Sequence, residues 1–74
     1  MADLVVDARG LSCPMPIVRA KKGIDTLQKG QELELLTTER GSLKDVPAWA
    51  RQAGHEVLSV EEQNGEYRFR IKKG

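Results

Sequence analysis

The chain is poor in the residues that cross-link proteins or line aromatic binding surfaces: one cysteine, one histidine, one tryptophan, one tyrosine and one phenylalanine in 74 residues. A single cysteine cannot close an internal disulfide, so a reducing cytoplasm is the expected home. One Cys and one His nearly exclude an all-protein structural zinc site, and no metal is expected. No apolar run is long enough to span a bilayer. The opening Met-Ala-Asp-Leu-Val-Val-Asp lacks the basic start and long apolar stretch of a signal peptide. Twelve basic and eleven acidic side chains leave a net charge of +1, which argues against a polyanion or a membrane surface as the main partner. There is no internal repeat and no low-complexity segment. The length suits one small core, so residues 1–74 are read as a single domain.

What is present is concentrated in Asp7-Ala8-Arg9-Gly10-Leu11-Ser12-Cys13-Pro14-Met15-Pro16. This stretch joins an apolar strand, Leu4 to Ala8, to a helical pattern running from Pro14 to about Gln28. The first N–H groups of a helix have no intrahelical partner, so prolines are tolerated there. With Cys13 as N-cap, Pro14 falls at N1 and Pro16 at N3, and neither removes a helical hydrogen bond. Met15 keeps its N–H, which a Cys13 thiolate can accept in the way a Ser or Asp cap does. The positive end of a helix favours an anion, and cysteine there titrates below its free value of about 8.5. Cys13 is therefore the candidate nucleophile. The competing reading is a small buried hydrophobe, the common fate of a free cysteine. A glycine-containing loop on one side and two helix-start prolines on the other favour the reactive sulfur.

Ile17, Ala20, Ile24 and Leu27 form a narrow apolar stripe on the first helix, which Lys29-Gly30 is expected to end. Glu32 to Thr38 alternates as a strand with Leu33 and Leu35 inward. A strand, a helix and a second strand suggest a parallel crossover. Ser42 with Asp45 resembles a capping box, but Pro47 then falls at the fifth helical position, where it would break a hydrogen bond. The second helix starts either at Ser42 with a distorted first turn or near Asp45. Its apolar face is Leu43, Val46, Trp49, Ala50 and Ala53, and it ends at Gly54. Val57 to Glu62 reads as a strand, Asn64-Gly65 as a type I′ turn, and Glu66 to Lys72 as a strand with Tyr67, Phe69 and Ile71 on one face. The order βαβαββ, with one polar face per strand, predicts an α/β (α+β) two-layer sandwich. Its mixed four-stranded sheet carries both helices on one side.

Asp7-x-Arg9-Gly10-Leu11-x-Cys13-Pro14-x-Pro16 resembles the signature of the TusA/SirA-like sulfur carrier proteins. Asp45-Val46-Pro47, Trp49 and Gly54-His55 are similar to that family's second helix and its exit. The likeness covers nearly the whole chain. It implies a fold similar to the C-terminal domain of translation initiation factor 3, and sulfane sulfur carried as a persulfide on Cys13. It further implies a cysteine desulfurase or rhodanese-type donor, and an acceptor protein in tRNA thiolation, molybdenum cofactor supply, sulfur oxidation or selenium metabolism. Many members have Asp-Pro where this chain has Glu39-Arg40, in a loop that bears on partner choice.

The thiolate chemistry parallels thiol–disulfide exchange and needs no general base; no cofactor is expected. Nor is there a trace of a small-molecule pocket, so the expected role is a sulfurtransferase-type relay that works with partners, as a monomer. Asp7, Arg9, Gly10, Pro14 and Pro16 are expected to support the cysteine loop. Asp7 does so by accepting loop N–H groups, whereas Arg9 either meets an anionic donor or is merely exposed. Met15, Val18, Arg19 and Lys22, at i, i+3, i+4 and i+7, make a candidate partner-binding ridge; the plainer reading is a solvated helix face. His55 and Trp49 read as structural. The Arg68, Arg70 and Lys72 row lacks exposed aromatics for base stacking and is bordered by Glu32, Glu34 and Glu66, so no direct nucleic-acid contact is expected. The runner-up function is a non-catalytic protein-binding or redox-regulatory module in which Cys13 is structural.

Overall fold

In the computed structural model, residues 2–12 and 15–74 are described. The elements are β1 (Leu4–Ala8), α1 (Met15–Ile24), β2 (Glu32–Thr37), α2 (Ser42–Gln52), β3 (Glu56–Gln63) and β4 (Glu66–Lys72). They form the expected mixed four-stranded sheet, in the order β1-β2-β4-β3. β1 and β2 run parallel, β2 and β4 antiparallel, and β3 and β4 antiparallel.

Alternation decides which side of the sheet the helices cover. Leu33, Leu35, Phe69 and Ile71 are fully buried, and Leu33 lies opposite Ile71 as Leu35 lies opposite Phe69. Ala20 and Ile24 from α1, and Val46 and Ala50 from α2, close the core from the other layer. Each large side chain removed from water there stabilises by about 1.5–3 kcal/mol. On the open face the charges pair: Arg68 Nε lies 3.4 Å from Glu34 Oε1, and Arg70 Nε 3.4 Å from Glu32 Oε1. Asn64 and Gly65 both take positive φ, 54° and 80°, as a type I′ turn requires.

Several local expectations are corrected. β1, for all its apolar sequence, is only half-buried, because it is a sheet edge and Val5 faces out at 54% exposure. α1 stops at Ile24, not near Gln28. The Asp25 amide reaches the Lys21 carbonyl, but those of Thr26 and Leu27 bond three residues back, to Gly23 and Ile24, tightening the chain. Leu27 still reaches the core from that turn. Gly30, with φ 93°, does not cap α1; its N–H donates to the Lys73 carbonyl at 2.8 Å.

α2 begins at Ser42 with Pro47 inside it. The cap position is Gly41, which makes no side-chain cap hydrogen bond, so the Ser42–Asp45 capping box does not form. Ser42 is buried and Leu43 exposed, so the inward face is rotated from the one expected. The exit is a Schellman turn: His55 N–H donates to Ala50 O at 2.7 Å and Gly54 N–H to Arg51 O at 3.2 Å, with Gly54 at φ 83°. β3 is longer than expected and is bulged between Val57 and Ser59.

Candidate functional site

The parallel pairing of β1 and β2 brings their C-terminal ends together, and both helices start from that same end. Crevices beyond the carboxyl ends of parallel strands are where α/β sheets present their chemistry. The sequence motif lies here. Cys13 and Pro14, the predicted nucleophile and the first proline, lie outside the described residues. Around them the frame is well defined. The Met15 N–H donates to the Ser12 carbonyl at 2.9 Å, tying the start of α1 to the end of the loop that leaves β1. The Cys13 cap expected for that amide lies outside the described residues. Pro16 is buried in the first turn of α1, where a missing N–H costs nothing.

At the end of β1, Asp7 and Arg9 form a closed unit. The Arg9 Nε and Nη2 groups donate to the two Asp7 carboxylate oxygens at 2.9 Å each, and the Arg9 N–H donates to Oδ1 at 3.1 Å. These hydrogen bonds from Arg9, backed by its charge and that of Arg19, bring the Asp7 pKa down to about 2. The same pairing raises the Arg9 pKa, with a further push from Glu66, whose Oε1 lies 3.5 Å from Arg9 Nη1. Arg9 is thus engaged on both sides.

Gly10 then turns the chain at φ 80°, a region open to glycine, and its N–H donates to Thr38 Oγ1 at 2.8 Å. Thr38 and Glu66 were not among the expected site residues. Their roles depend on strand register, and nothing adjacent in sequence signals either. Glu39, at the position of the departure noted above, accepts the Gly41 N–H on its side chain at 3.2 Å and the Ser42 N–H on its carbonyl at 3.0 Å.

Met15, Val18, Arg19 and Lys22 come together as expected by spacing, and they also meet the edge strand. With Val5, Val6 and Asp7 they line a groove of about 510 Å³. A larger hollow of about 780 Å³, lined by Lys29, Arg51, His55, Lys72 and Lys73 among others, lies at the opposite end of the sheet. His55 is structurally committed there: its Nδ1 accepts the Gly74 N–H at 3.1 Å and its ring sits 5.6 Å from that of Trp49. Among the described residues no group of His, Cys, Asp or Glu side chains is arranged to hold a metal ion, and no helix is long and apolar enough to cross a membrane.

A family model described as "Sulfurtransferase TusA" matches residues 4–73. The sulfur carrier protein TusA of Allochromatium vinosum is 45% identical over 71 residues, which is 96% of this chain and 93% of that one. The YrkI protein of Bacillus subtilis is 44% identical over 73 residues, 99% of this chain and 97% of its own. Among solved structures, the SirA-like protein of Desulfitobacterium hafniense superposes with a TM-score of 0.84 at 29% identity, over 96% of this chain and 97% of that one.

Proposed function

The chain belongs to the TusA family of sulfur carriers, and we propose that it carries sulfur as a persulfide on Cys13 and relays it between proteins. The observation behind this reading is the start of α1 at Met15, two residues beyond Cys13, at the end of the sheet where β1 and β2 finish. A sulfur held there as an anion feels the positive end of the helix. In the first step the Cys13 thiolate attacks the terminal sulfur of a donor persulfide. The new S–S bond forms on Cys13 as the donor's S–S bond breaks, and the donor leaves as a thiolate. In the second step an acceptor thiolate attacks the outer sulfur and Cys13 departs as the thiolate. No net oxidant is consumed, and no cofactor is used.

The frame around the motif serves that chemistry by holding the loop. Asp7 with Arg9, Gly10 with Thr38, and Pro14 and Pro16 at the helix start fix the direction from which the sulfur is offered. Met15, Val18, Arg19 and Lys22 receive the partner. The donor is a cysteine desulfurase or a rhodanese-type protein. The acceptor is a protein of a sulfur-trafficking route such as tRNA thiolation or molybdenum cofactor supply. The protein acts in the cytoplasm as a monomer, without direct contact to nucleic acid. Incubation with a cysteine desulfurase and ³⁵S-cysteine tests the reading. Label should reach the native chain and be absent from Cys13→Ser, and equal label on both would overturn it.

A further inference from the structure

The sheet has two edges, and they differ in how they are protected. β3 is broken by a bulge between Val57 and Ser59 and carries Glu56, Glu61 and Glu62, features that discourage pairing with another chain. β1 has neither protection. It pairs in continuous register with β2 from Leu4 to Ala8, and its one charged side chain, Asp7, has both carboxylate oxygens held by Arg9. The groove beside this edge has an apolar lining from Val5, Val6, Met15 and Val18, of which Val5 is 54%, Met15 42% and Val18 37% exposed. Arg19, Lys22 and Asp7 rim it; the Asp7 carboxylate is bound to Arg9 and feels the Arg19 charge, and neither Arg19 nor Lys22 makes an ion pair within 4 Å among the described residues. An unpaired strand edge, an apolar trough and two cations without an ion pair among the described residues therefore lie along one line that begins beside the cysteine motif.

From this juxtaposition we infer that the groove receives an extended, acidic segment of a sulfur-exchange partner, which adds to β1 as a fifth strand. Its backbone would take up the unpaired N–H and C=O groups of the β1 edge, as in β-strand addition. Alternate apolar side chains would enter the trough, and carboxylates would meet Arg19 and Lys22. A helix seated in the same trough would leave the strand edge unpaired. The inference rests on the relay proposed above for its partner, but the docking itself needs no sulfur.

The probe is a seven-residue capped peptide alternating valine and glutamate, titrated into the ¹⁵N-labelled full chain. Its counterparts are a valine–lysine peptide and a valine–glutamate peptide N-methylated on one edge. Saturable amide shifts confined to residues 4–8 and the α1 ridge are expected with the glutamate peptide alone. Reversing both cations, Arg19→Glu with Lys22→Glu, should weaken it about tenfold. Val5→Lys, a change at an exposed site, should weaken it too. Shifts on β3, equal binding of all three peptides, or no binding would overturn the inference. So would concentration-dependent shifts of β1 without peptide, which would identify a second copy as the occupant. The titration is repeated with Cys13→Ser, where binding should be unchanged. Peptide binding without sulfur loading would contradict the relay and leave the groove, while loading without binding would do the reverse.

Discussion

The Gly10 amide donates to the Thr38 hydroxyl at 2.8 Å, joining the loop that leaves β1 to the residue that follows β2 across 28 positions of sequence. It is a cross-connection between the loop that leaves β1 and the end of the neighbouring parallel strand. Removing it with Thr38→Val should cost about 1 kcal/mol or less, because both groups can turn to water. The larger effect is local. Amide exchange at Gly10 should quicken while that of Leu35 and Phe69 stays slow, and unchanged Gly10 exchange would show that the loop is held by other means.

Asp7 gives the loop a defined pH range. Its folded pKa of about 2 lies below the ordinary 3.8. A carboxylate depressed in this way contributes stability above its unfolded value, and the contribution is lost as pH falls from about 3.8 through about 2. The contact is therefore fully formed at neutral pH. A carbon-detected titration should place the Asp7 midpoint near 2 and move it up toward 3.8 in Arg9→Gln. An unmoved midpoint would assign the depression to other groups.

At Gly23 the α1 backbone lies close against the sheet. A Cβ there would stand 2.8 Å from Val6 Cγ2 and 3.1 Å from both Leu33 Cδ1 and Leu4 Cδ2. Alanine improves helix propensity by about 1 kcal/mol, whereas overpacking of this kind costs about 1–3. Gly23→Ala should therefore lower the stability by a net of about 1 kcal/mol, read as a lower denaturant midpoint. A stabilised variant would mean that the three side chains yield freely.

Most of the fold was legible because its signals are local and periodic. Leu33, Leu35, Tyr67, Phe69 and Ile71 alternate within their strands, and Asn64-Gly65 specifies the hairpin without help from the rest of the chain. Helix ends were less legible. The stripe through Leu27 continues past Ile24 because a tight turn can also deliver a side chain to the core. Gly41 rather than Ser42 stands at the start of α2, because Ser42 is wanted inside. At the site, Asp7 accepts a loop N–H as expected, but the ion pair that also holds the Arg9 side chain was not read from the sequence, where Arg9 was left to meet a donor or water. Thr38 and Glu66 join them only through strand register. The groove was half visible: the α1 ridge follows from helical spacing, but its other wall is a strand whose edge position depends on the order of the sheet.

Thr37 offers a stability gain. It is fully buried at the end of β2, and its Oγ1 has no hydrogen-bond partner among the described residues. A buried hydroxyl left unpaired costs about 1–3 kcal/mol, so the near-isosteric Thr37→Val should raise the thermal midpoint, with a gain of about 1 kcal/mol. A loss of stability would show that the hydroxyl has a partner in solution.

The most direct test of the persulfide account is the intact mass of the chain after incubation with a cysteine desulfurase and cysteine, read before and after a thiol reductant. The account predicts a gain of one sulfur, about 32 mass units, that maps to the peptide containing Cys13 and disappears on reduction. An unchanged mass with several donors, or a gain that reduction leaves in place, would contradict it.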